Sequence, residues 1–243
     1  MRARSLATLA LAGLLMAACT PSTSETAEPS TAAPEPSESA AAACAAPPAV
    51  CDGPLAAGDY VSETTGAHID FTLDEHDWSG AADAPGDGFA LFLADVPDGG
   101  IYVTSFGGEV FDDPCAENPA ASSVTTIGTS PEDFMAFLGA SPGVTLSEPL
   151  EVEVGGRPAL EANLTMDFAT GCPNGSGFAY WLYRLPVHGD LHLGDGERDR
   201  VLAVDGGSGT VIIWIGVWSP DGDYDHLVEH GAEVVESMVI APL

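Results

Sequence analysis

The chain contains no lysine, and its six cationic side chains are all arginines. Arg2 and Arg4 stand at the start, which leaves Arg157, Arg184, Arg198 and Arg200 as the only permanent positive charges beyond it. Against them are 37 acids and a formal net charge of -31. A surface this acidic repels phosphate backbones and anionic headgroups, which excludes nucleic acid and a bare lipid surface as partners. Without lysine no P-loop can be assembled. There is no internal repeat of solenoid period. The closely spaced cysteine pairs of a four-thiolate zinc site are missing as well. Gly206-Gly-Ser208-Gly209 fails as a nucleophile elbow, because Thr210 replaces the closing glycine and the segment lies between two strands. What such a charge attracts is calcium, magnesium or a basic partner; the plain alternative is a solvated acidic coat.

The opening arginines precede an uncharged, mostly apolar run from Leu6 to Ala18, the layout of a secretory signal peptide. The run is too short for a spanning helix, which takes about 20 apolar residues. It ends Leu15-Met-Ala-Ala-Cys19, which resembles the lipobox of bacterial lipoproteins, where small residues precede a cysteine that carries diacylglycerol. Met16 stands where that family usually has leucine. The resemblance implies a signal peptide at 1–18, lipidation at Cys19 and anchoring on the outer face of the cell membrane. The alternative is cleavage after Ala18 and a freely secreted protein.

Residues 19–49 are rich in Ser, Thr, Pro, Ala and Glu, with no aromatic or large aliphatic side chain. Such a segment cannot bury enough apolar surface to offset its ordering entropy. It reads as a disordered tether reaching roughly 30 Å, followed by one globular domain at 50–243. Apart from Cys19, the cysteines are Cys44, Cys51, Cys115 and Cys172. An even number in an exported chain argues for disulfides, and four cysteines allow three pairings. The pairing favoured is Cys44 with Cys51, where tether meets domain, and Cys115 with Cys172, between two Pro-containing loops.

Period-two patterning dominates the domain. Leu150, Val152 and Val154 alternate with acids, and after Gly155-Gly156 the alternation resumes through Leu160, Ala162, Leu164 and Met166, a hairpin with one face to a core. Ile69, Phe71 and Leu73 alternate likewise, and 89–94, 101–106 and 177–185 read as further strands. A second hairpin joins 200–204 to 210–218. Its second arm is apolar on both faces, so it should be a central strand covered on both sides. Ser130-Pro-Glu-Asp133 supplies an N-cap, a first-turn proline and acids for a helix burying Phe134, Phe137 and Leu138. A second helix is expected over 223–238, burying Leu227, Val228, Val234, Val235 and Met238. The predicted fold class is α+β: an antiparallel sheet packed with two main helices in a single domain.

Certain segments carry a resemblance. Leu55-Ala-Ala-Gly-Asp-Tyr60, Ile69 to Leu73 with Trp78 beyond, Pro131-Glu-Asp-Phe134, Val154-Gly-Gly-Arg-Pro158 and Glu236-Ser-Met-Val-Ile240 are similar to a group of actinobacterial secreted and lipoprotein domains. More distantly, they resemble the PsbP-like α+β fold. The likeness spans 55–241, rests on packing and turn residues, and implies a fold without an activity or a functional residue.

Three clusters hold chemistry. His226-Leu-Val-Glu229-His230 matches the H-x-x-E-H of inverted zinc peptidases, with both imidazoles on one side of a helix. The same helical wheel sets His226, Glu229, His230, Glu233 and Glu236 opposite the apolar stripe, as a solvent face. His188-Gly-Asp190-Leu-His192, if extended, points His188, Asp190 and His192 to one side, which suits zinc or copper, with Asp195 and Glu197 following. It lies in a Gly-rich connection of the kind that carries binding loops. Asp221-Gly-Asp223-Tyr-Asp225 opens like a calcium loop, but His226 replaces the required glycine and Ala232 the closing glutamate, so Asp221 or Asp223 is expected to cap a helix. The function expected is a non-enzymatic extracytoplasmic domain binding an envelope protein, a glycan or a small ligand, with no cofactor. The alternatives are a protein holding a divalent cation and a hydrolase.

Overall fold

A strand that is apolar on both faces can be stable only between two layers. The computed structural model, which describes residues 49–82, 87–173, 179–185 and 190–243, is built around such a strand. Cys19, Cys44, His188 and the segments expected as signal and tether, as far as residue 48, lie outside the described residues. The chain passes through β1 (Gly53–Leu55), β2 (Gly58–Ser62), β3 (Ala67–Leu73), β4 (Trp78–Ala82), β5 (Gly88–Leu93), β6 (Gly99–Phe106), β7 (Glu109–Phe111) and β8 (Val124–Thr126). Next come α1 (Pro131–Ala140), β9 (Val144–Leu146), β10 (Leu150–Val154), β11 (Arg157–Met166), the single-turn α2 (Phe168–Gly171), β12 (Tyr180–Arg184) and β13 (Asp190–Leu193). The last elements are β14 (Arg198–Asp205), β15 (Thr210–Val217), α3 (Tyr224–Ser237) and β16 (Val239–Pro242).

The large sheet runs β1-β4-β5-β6-β15-β14-β11-β10, with β9 also on β11; smaller sheets run β13-β12-β7-β8 and β16-β3-β2. Every residue of β15 is buried. It pairs antiparallel along its length with β14 on one side and β6 on the other. Side-chain alternation then divides the interior. Val211, Ile213, Ile215 and Val217 join Ile69, Phe71, Leu227, Val234 and Ile240, from α3 and the three-stranded sheet. Ile212 and Trp214 join Phe134, Leu138, Leu182 and Tyr183, from α1 and the four-stranded sheet. The expected α+β domain with an antiparallel sheet and two main helices is thus observed. Among the described residues no helix is long and apolar enough to cross a membrane.

Local chemistry sets the element ends. Ser130 Oγ accepts from Asp133 N, and Asp133 Oδ2 accepts from Ser130 N, a reciprocal cap on α1. The buried residues of α1 are Phe134, Met135 and Leu138. Phe137, expected in that stripe, is only half-buried because α1 faces β9, β11 and β14 one position round. Asp223 caps α3 by accepting from His226 N. Gly231 lets that helix sit close to β15, since a Cβ there would lie 2.8 Å from Ile215 Cγ2. Gly155 and Gly156, at φ +60° and +77°, form the two-residue turn between β10 and β11. Leu150 does not reach the core expected for it: β10 is the edge strand, and Leu150 is 62% exposed at its start.

Cys115 and Cys172 are disulfide-bonded, joining the loop after β7 to the end of α2 across 57 residues. Cys51 is also disulfide-bonded, and its expected partner Cys44 lies outside the described residues. Replacing Cys115 and Cys172 together by serine should lower stability by about 4 kcal/mol, from the lost restriction on the unfolded chain. Urea unfolding of the two proteins at one pH measures it.

Candidate functional site

The face of the large sheet that carries Trp214 is covered by α1 along part of its length. At the other end Asp199 of β14 stands opposite Gly216 of β15, one pair along from Val201 and Trp214 on the same face. Here lies a cleft of about 420 Å³ between the sheet and the segment that includes β13. Tyr102 and Thr104 from β6, Trp214 and Trp218 from β15 and just beyond it, and Asp190 to Leu193 make its walls. Glu197 and Asp199 join Asp190 as its acids.

Asp199 is 2% exposed, and its Oδ2 is buried without a hydrogen-bond partner among the described residues. A side chain at position 216 would collide with it: a Cβ there would lie 1.6 Å from Asp199 Oδ1. Gly216 has no positive φ, so the glycine serves space and not backbone conformation. The Glu197 side chain is hydrogen-bonded to Asp199 and accepts from the Gly194 amide. Burial pushes both carboxyls above the ordinary carboxylate range, and the neighbouring Glu197 charge pushes Asp199 further. Two carboxyls in contact ionise together only at high cost, so the pair retains a proton where isolated acids would be charged.

The aromatic wall is held from behind. Trp214 Nε1 donates to Tyr183 Oη at 3.3 Å, and Tyr183 Oη lies 2.7 Å from Thr104 Oγ1. Burial pushes the Tyr183 phenol up to about 12, which keeps it neutral. At the mouth, Trp218 is 38% exposed and meets Tyr102 edge-on, with ring centres 6.4 Å apart. Tyr102 in turn meets the ring of Phe92. The result is a preformed apolar slot with hydrogen-bonding acids inside it, the usual make-up of a small-molecule site.

The candidate residues from the sequence are distributed as follows. Asp190, His192 and Glu197 line the cleft, so part of the Gly-rich connection forms its wall. Asp190 is 3.7 Å from Arg184, and His192 packs on Trp181 with ring centres 4.8 Å apart. His226 and His230 do share one side of α3, with ring centres 4.6 Å apart. His230 departs from the expected solvent face: its side chain is only 13% exposed, because the turn carrying Asp74 and His76 folds over it. Glu229 remains exposed, and Asp223 is used as the α3 cap. The sequence reading missed Asp199, Tyr102, Trp214 and Trp218. A signal for Asp199 was present, an acid in phase with Val201 and Ala203 in a strand otherwise apolar on that side, opposite a glycine that interrupts β15.

The buried acids make a pH prediction whose sign follows from their raised values. Below about pH 4, the carboxyl range of unfolded chains, folded and unfolded forms are both protonated and burial costs nothing electrostatically. As pH rises the unfolded chain ionises freely while the folded pair resists, so stability is lost. Asp199→Asn should therefore match the parent near pH 4 and become progressively more stable than it toward pH 8, measured by urea midpoints. Gly216→Ala should be destabilising at every pH, by about 1–3 kcal/mol for an overpacked site.

Compared with known proteins, the chain matches no family model and no curated protein. Among solved structures it is similar to the solution structure of cyanobacterial PsbP (CyanoP) from Synechocystis sp. PCC 6803. That likeness has 13% identity and a TM-score of 0.41, covering 79% of this chain and 98% of the other.

Proposed function

We propose that this chain is a non-enzymatic, lipid-anchored binding protein of the cell envelope, which holds a small organic ligand in the cleft above Asp199. The observation that carries the reading is the buried Asp199 carboxyl, with an oxygen unpartnered among the described residues, inside an aromatic-walled slot. An unsatisfied buried polar atom costs about 1–3 kcal/mol, and a ligand donor would relieve that cost. Aromatic faces suit a flat or ring-shaped apolar surface, and the acids suit a hydroxyl or ammonium group beside it. Anions are disfavoured by the carboxyls of Glu197 and Asp199 in the wall, and Arg184 is already beside Asp190. Glu197 and Asp199 are in hydrogen-bond contact, closer than the 5 Å or more that separates paired glycosidase carboxyls. The pair therefore favours binding over hydrolysis.

The envelope location rests on the segment ending at Cys19 and on the disulfide between Cys115 and Cys172, a bond that persists in oxidising compartments. Lipid on Cys19 and a tether over 19–49 would hold the cleft away from the headgroups.

Two experiments test the reading. Tryptophan fluorescence of the protein, titrated with a panel of saccharides and small ammonium compounds, should show saturable quenching by at least one of them. Trp218→Ala and Asp199→Asn should each weaken that binding about tenfold or more, the scale of one lost aromatic or charged contact. No quenching by any compound, or binding indifferent to both substitutions, removes the cleft as the site. For the anchor, Cys19→Ser expressed in a bacterial host should move the protein from the membrane fraction to the soluble fraction; retention in the membrane would exclude lipid at Cys19.

A further inference from the structure

A second polar cluster lies on the opposite side of the large sheet from the cleft, where α3 packs against β3 and β15. Asp74 follows β3 and begins the turn into β4. Its Oδ1 accepts from the His76 amide at 3.2 Å and from Trp78 Nε1 at 2.9 Å, while Oδ2 lies 2.6 Å from His76 Nδ1. The carboxylate is thus fixed on two sides, one of them by a buried indole. The His76 ring lies over His230, with ring centres 4.0 Å apart. His230 Nδ1 is buried without a hydrogen-bond partner among the described residues. One donor atom from each of Asp74, His76 and His230 lies within 4.8 Å of the other two.

We propose that Asp74, His76 and His230 form a binding site for one zinc-class divalent ion, with a fourth position open to water or an external ligand. Bonds of about 2.0–2.1 Å in a tetrahedron place donor atoms roughly 3.4 Å apart, so donors that lie up to 4.8 Å apart close by at most about 1.4 Å, and the Asp74–His76 hydrogen bond opens to admit the ion. Rotation of the half-exposed His76 side chain supplies both movements. Two imidazoles and one carboxylate select a borderline ion over calcium or magnesium, which take oxygen donors. The outer groups are in place as well. Trp78 orients Asp74 through its indole N–H. His226, held by Asp95 at 2.9 Å, packs edge-on against the His230 ring. Such outer partners fix the ligands' orientation and affinity. Glu75, Asp77, Asp95 and Glu229 add negative charge along the same turns and helix, which draws a cation toward the cluster.

The full chain, stripped of metal by chelation and dialysis, is titrated calorimetrically with zinc chloride and, separately, calcium chloride. Zinc should bind with one equivalent and calcium should not compete. His76→Ala, in an exposed turn, and His230→Gln should each weaken zinc binding by about tenfold or more, while His192→Ala, in the cleft wall, should leave it unchanged. Circular dichroism verifies that each variant is folded, and His76→Ala decides the matter alone if His230→Gln is not. Absence of zinc binding overturns the proposal. Weak multi-equivalent binding that neither substitution alters overturns it too, as the mark of general association with an acidic surface. Loss of binding in His192→Ala would place the ion in the cleft and overturn it equally.

Discussion

Everything else in this domain is placed with respect to β15, a strand with no solvent side. Eight consecutive buried residues leave it no register in which a polar face could turn outward, so both of its faces must be covered and both of its edges paired. Burying each large aliphatic side chain is worth about 1.5–3 kcal/mol, against the entropy of ordering it. Alternation along the strand then assigns each covering layer its own core. Val211, Ile213, Ile215 and Val217 belong to α3 and the three-stranded sheet, and Ile212 and Trp214 to α1 and the four-stranded sheet.

Polar chemistry enters this interior where the layers stop matching. On one side the row that begins with Ile212 and Trp214 ends at Gly216, and the space its missing side chain leaves is filled by the Asp199 carboxyl. The aromatic rings around that carboxyl are positioned by the same sheet register, since Tyr102 and Trp214 are directly opposed on β6 and β15. On the other side the turn between β3 and β4 closes over α3 and brings an aspartate and a histidine onto His230. Each cluster keeps polar groups where apolar ones would pack at lower cost. Sites that break the local rules in this way are where function tends to sit.

Much of the fold was legible along the chain because its signals are local. The Gly155-Gly156 turn, the cap formed by Ser130 and Asp133, the largely apolar run of β15 and the pairing of Cys115 with Cys172 were all expected and are all present. The misjudged positions share one cause. Leu150 and Phe137 follow the correct period, but exposure depends on whether a neighbouring layer extends over them, which no period encodes. His230 was read as solvent-facing for the same reason, as its helical wheel contains no information about a turn some 150 residues earlier.

The candidate sites divide along the same line. The composition and spacing of the chain were sufficient to indicate an acidic α+β domain and to direct attention to the connection holding Asp190, His192 and Glu197. That Asp199 faces inward against Gly216, and that Asp74 and His76 meet His230, was decided by tertiary structure. The β14–β15 register sets the first contact, and the second depends on β16 returning to pair with β3 after α3. Both are contacts between segments that the local pattern describes correctly one at a time, and whose juxtaposition is set only when the two cores close around β15.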